Sequence, residues 1–151
     1  MKYLKRILIA LCVFYFVTAL QSFSQELTVY QFIGKTKSDV IKQYGKPIHS
    51  DESNPDMVCI FYKKNQDTMI FVSDKTSVYQ VDAMKFYPTE ASALTALNSA
   101  VQTAISQSFS PDTLSSSSFK LYKPGVEFNI SVNKASSGTD YQVKLHAAHK
   151  E

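Results

Sequence analysis

The sequence predicts one α+β domain: an antiparallel β-sheet of about five strands, in the order α-β-β-β-α-β-β, with helices packed on one face. Three observations predict it. Residues 34–47 carry signals for both ends of a short helix. Leu94, Leu97, Val101 and Ile105 repeat at three- and four-residue spacing. Two later stretches alternate apolar with polar residues, the period of a half-buried strand. No repeat of 20–50 residues is visible, and the four glycines form no linker, so a single domain is expected.

Element by element, a first short helix of about two turns is expected within residues 34–47. Thr36 suits its N-cap, with Asp39 three residues on as the partner of a short capping box. Val40, Ile41 and Tyr44 share a face, Gly45 suits a left-handed position after the last turn, and Pro47 prevents continuation. Two apolar runs, residues 57–62 and 68–73, flank the polar loop 63–67 and read as a hairpin. Residues 78–87 add a third strand, with Tyr79, Val81 and Ala83 on one face. Cys59 lies in the run 57–62, apolar at every position, so it is expected to be a buried and inert thiol.

Thr89 is placed as N-cap of the main helix and Glu90 against its positive end. Leu94, Leu97, Val101 and Ile105 follow at helical spacing with Ala93, Ala100 and Ala104, and the helix is expected to end near Gln107. Residues 108–118, with Pro111 and four consecutive serines, are expected to form a mobile linker. A short edge strand is expected at 119–122. Beyond it Val126, Phe128, Ile130 and Val132, then Tyr141, Val143, Leu145 and Ala147, each alternate with polar residues as two half-buried strands.

The first 24 residues have the three parts of a cleavable export signal: a basic start (Lys2, Lys5, Arg6), an apolar run over 7–20, and a polar end. The run is shorter than the roughly 18 residues of a spanning helix. Ser22 and Ser24 supply the small residues for cleavage between Ser24 and Gln25. A domain over 25–151 is then expected to be exported, periplasmic or secreted, with no membrane span after cleavage. Removing the leader leaves 13 lysines against 13 acidic residues and no arginine. The pI of 8.8 is therefore no sign of nucleic-acid binding, and guanidinium forks are absent from the mature chain. Cys59 is its one cysteine, so no intramolecular disulfide is expected.

The pattern Gly34-x-Thr36-x-x-Asp39-Val40, then Tyr44-Gly45-x-Pro47, followed by a β-meander, resembles the opening of small exported domains of the SmpA/OmlA or BamE-like family. Those domains are related in fold to β-lactamase inhibitor protein. The resemblance covers about 14 residues, with looser agreement through residue 87. It implies that the segment is structural and that the chain is a non-catalytic envelope accessory or protein-binding module. The lipid-anchoring cysteine typical of outer-membrane members is missing here, and a long helix and a further strand pair are added.

Motifs for other chemistry are sparse. His146 and His149, three apart on an expected strand, point to opposite faces and cannot share a metal. The loop Asp51, Glu52, Asp56 lacks the glycine and the terminal glutamate of a calcium loop. No nucleophile elbow is present and the glycines are too dispersed for a phosphate cradle. The lysines about the first helix (35, 37, 42, 46) read as a solvated face. Asp67-Thr68-Met69 and Asp112-Thr113-Leu114 look like the Asp-Ser/Thr-apolar O-glycosylation acceptor of exported proteins in one group of bacteria, which marks Thr68 and Thr113. No cofactor and no catalytic residue are expected. The partner expected is another envelope or exported protein. The alternatives are a small-ligand carrier with a cavity between sheet and helix, and an enzyme whose site is assembled in space.

Overall fold

The computed structural model describes residues 27–136 and 138–150; the expected leader and its cleavage site, Ser24 and Gln25, lie outside them. A 3-10 turn (Val29–Phe32) leads into α1 (Lys37–Tyr44), then β1 (His49–Asp51), β2 (Val58–Lys64), β3 (Asp67–Ser73) and β4 (Val78–Tyr87). After α2 (Glu90–Ser106) come β5 (Ser110–Ser115), β6 (Ser118–Lys123), β7 (Val126–Lys134) and β8 (Tyr141–His149).

This overturns the expected sandwich of about five strands with helices on one face. Among the described residues the body is one eight-stranded antiparallel sheet, ordered β1-β2-β3-β4-β8-β7-β6-β5, and their two α-helices do not make a second layer of comparable extent. The sheet is two four-stranded meanders that meet at the β4–β8 pair, where eight residues are in register from Gln80↔Ala148 to Tyr87↔Tyr141. Helix α2 carries the chain from this central seam to the far edge, and β5 to β8 then work back inward.

Residues 108–118, expected as a mobile linker, are instead largely sheet. Strand β5 pairs with β6 from Ser110↔Tyr122 to Ser115↔Ser118, with an irregularity between Thr113 and Ser115. Every residue of β5 is exposed, so its side chains carry no sign of a strand. It is held by backbone hydrogen bonds along one edge only, where Pro111 is tolerated.

Register decides the core. Ile60, Phe71, Val81, Ala147, Phe128 and Leu121 form one row across six strands, and all six are buried. The 3-10 turn stacks Tyr30 on Phe128 at 4.4 Å between ring centroids, with Phe109 edge-on to both. Phe32 and Tyr44 close over Phe71. On α2 the buried stripe is Ala93, Leu97, Ala100, Val101 and Ala104. Its alanines let the helix approach the sheet closely, while Ile105, expected in the stripe, is exposed.

The run 57–62 is not apolar-packed on both sides. Ile60 and Tyr62 are buried, Met57 is exposed, and Cys59 is half-buried. The alternation of an antiparallel strand overrides a uniformly apolar composition here, because only one side of β2 faces the core. The expected burial of Cys59 is thus corrected. Its thiol pKa is still pushed up, by desolvation first and by the Asp51 charge second, which keeps it protonated and a poor nucleophile.

Candidate functional site

The motif residues sit together as a structural corner. Thr36 caps α1: its hydroxyl accepts the Asp39 amide at 3.2 Å, while Asp39 Oδ2 accepts the Thr36 amide at 3.1 Å and its hydroxyl at 2.7 Å. Val40 is fully buried and Tyr44 packs on Phe32, Tyr62 and Phe71, whereas Ile41 points outward. Gly34 has φ +81°, and its amide donates to the Val78 carbonyl at the start of β4. Pro47 is half-buried between α1 and β1. Gly45 takes φ +80° with ψ −161°, an extended-ψ conformation essentially confined to glycine and not the left-handed helical one expected. The Tyr62 hydroxyl donates to its carbonyl at 2.9 Å.

Thr36→Ala should therefore cost about 0.5–2 kcal/mol through the lost cap. Gly45→Ala should cost about 1–3 kcal/mol by forcing a Cβ into that region, although nothing lies within 4 Å of the added atom. Urea denaturation checks both, and unchanged midpoints would remove this corner from the account of stability.

The carboxylates of the loop after β1 are each engaged separately. Asp51 accepts the Ser53 amide, Glu52 binds Lys37 and Ser50, and Asp56 faces Lys75. Among the described residues no group of three His, Cys, Asp or Glu could hold a metal. His146 and His149 lie on opposite faces of β8. Thr68 is half-buried within β3, and Asp67 Oδ1 accepts the Phe86 amide. Thr113 is exposed, but on edge strand β5 and not in a linker.

Hydrogen bonds from Thr36, chiefly its hydroxyl, hold the Asp39 carboxyl below the usual range. Thr76 and Ser77 do the same for Asp74, and Lys150 and Lys120 for Glu127. A lowered folded pKa adds stability that is present above the unfolded value, about 4, and is lost as pH falls through the folded one. The urea midpoint should thus hold down to about pH 5 and decline below it, with the decline reduced in a Glu127→Gln variant. A midpoint level to pH 3 would refute the linkage.

The side of the sheet opposite the core rows carries the most varied chemistry. One row runs Phe61, Ile70, Asp82, His146, Asn129 and Lys120 from β2 to β6. Over β2 to β4 this side carries the half-buried Phe61, Ile70 and Met84 and the buried Val72, bordered by Gln80 and Asp82 on β4, and over β6 to β8 it is ionic. At the seam, His146 Nδ1 lies 2.6 Å from Asp82 Oδ1, and Gln80 donates to Asp82 Oδ2 at 2.8 Å. On β7, Glu127 bridges Lys120 and Lys150 at 2.9 and 2.7 Å.

A histidine oriented by a carboxylate is two thirds of a nucleophilic triad. The Asp82 carboxylate orients the His146 imidazole at the open face, and among the described residues no hydroxyl or thiol is hydrogen-bonded to its other nitrogen. Sequence reading missed this pair. Its members are 64 positions apart, and only the β4–β8 register brings them together. Comparison with protein-family models, with curated proteins and with solved structures gave no match.

Proposed function

We propose that this chain is an exported, non-catalytic accessory domain that binds another envelope or exported protein through the open face of its sheet. The observation that carries the reading is the make-up of that face. Phe61, Ile70 and Met84 are half-buried there, and across the register Ile70 is followed by the ordered polar pair Asp82 and His146. Apolar area beside satisfied polar groups is the anatomy of a protein interface, with the apolar part giving affinity and the polar part fixing register. The export-signal pattern and the resemblance of residues 34–47 to SmpA/OmlA domains support the same reading. No helix of the described residues is long and apolar enough to cross a membrane.

Site-specific photocrosslinking tests it. A photoreactive residue at position 61 or 70, in the full chain expressed in its host, should yield one discrete adduct with the same protein from both positions. The adduct should disappear with Met84→Lys, and position 105 on α2 should give none. Adducts from 105 alone, or none from the open face, would refute the proposal.

A further inference from the structure

We infer that the cavity beyond the end of α1 is a binding site for a small organic anion with an apolar body, of the medium-chain carboxylate class. The cavity exists because α1 is only eight residues long, while β2, β3 and β4 run on past its last turn. Its volume is about 360 Å³, at the small end of ligand pockets, which span about 300–1,000 Å³. Tyr44, Tyr62, Met69 and Ala83 give it an apolar floor.

Its rim is cationic. Lys46 follows α1 and Lys63 and Lys64 end β2, so two separate stretches of chain bring three exposed lysines to one opening; Lys85 on β4 is buried, its Nζ 6.0 Å from the centroid of the Tyr87 ring. The hairpin register, Lys63↔Thr68 and Lys64↔Asp67, together with Thr68↔Met84, sets β2 and β4 on either side of β3 there. Asp67 is the one carboxylate in the lining, and its Oδ1 already accepts the Phe86 amide.

Elsewhere Lys37, Lys42, Lys75, Lys120 and Lys150 are each set against an acidic side chain. Lys46, Lys63 and Lys64 have no such partner among the described residues. Lys35, Lys123, Lys134 and Lys144 also lack an acidic partner there, but none of these four lines the cavity, where three unpaired lysines stand together. Ammonium groups on flexible stems suit a single carboxylate, and the bidentate geometry that selects phosphate needs arginine. The aromatic and thioether floor takes the hydrocarbon part.

Calorimetric titration of the full mature chain with octanoate at low salt tests the site. Saturable one-to-one binding is expected, weakening as salt is added. Octanol and methyl octanoate should bind at least about tenfold more weakly, as should inorganic phosphate, which lacks the apolar body; tenfold corresponds to 1.4 kcal/mol. The triple variant Lys46→Gln, Lys63→Gln, Lys64→Gln should lose at least about tenfold for octanoate with an unchanged urea midpoint, whereas Lys134→Gln should bind as the parent does. No saturable binding, equal binding of octanol, equal binding of phosphate, or a triple variant that binds normally would each overturn the inference.

Discussion

Phe71→Ala is expected to lower the unfolding free energy by about 3–5 kcal/mol, the range for truncating a buried aromatic ring. The side chain is wholly excluded from water and is the common neighbour of Phe32, Tyr44 and Tyr62. Removing it leaves three rings from three elements facing a void, and the pleated strands on either side limit collapse into it. Phe61, on the neighbouring strand β2, gives the internal comparison. It is half-buried and points to the open face, so Phe61→Ala should cost about 1 kcal/mol, the centre of ordinary single substitutions. Urea denaturation of both variants decides between the faces. Equal losses would mean that the open face is as tightly covered as the core, contrary to the proposed interface.

The contrast between these two phenylalanines also marks where sequence reasoning works. Helix α1 was legible because its signals are local: Thr36 and Asp39 answer each other across three residues, and Gly45 takes a conformation that other residues avoid. Strands β7 and β8 were legible because one face of each is buried and the other wet, which writes a period of two into the sequence. The face of β2 was not, since Met57, Val58, Cys59, Ile60 and Phe61 are apolar on both sides and no alternation remains to read.

Other features were hidden for different physical reasons. Strand β5 buries nothing, so its composition is that of a loop, and its pairing rests on backbone groups that every residue but proline carries. Strand β1 has three residues, too few for any period. The 3-10 turn, which contributes Val29 and Tyr30 to the core, has only four residues, too few for an amphipathic pattern to repeat. The Asp82–His146 contact and the lysine rim depend on strand order, a property of the whole sheet. No window of sequence contains it.

Leu121→Ala is expected to cost about 2–5 kcal/mol, the second large effect. Leu121 is completely buried on β6, opposite Phe128 on β7 and Pro111 on β5. It is therefore the side chain that fastens the β5–β6 hairpin to the aromatic cluster of Tyr30, Phe109 and Phe128. Leu114, seven residues earlier, is 60% exposed on β5, and Leu114→Ala should change stability by no more than about 0.5 kcal/mol. The two leucines differ in neither chemistry nor secondary structure, so the difference between their variants isolates burial as the cause. It also separates the two ways of regarding residues 108–118. In a sheet anchored through β6, the loss at Leu121 destabilises the whole cooperative unit, and the urea midpoint falls with an unchanged slope. In a hairpin that comes and goes independently of the core, Leu121→Ala would leave the global midpoint where it was, and β5 and β6 would have to be taken out of the folded body of the protein.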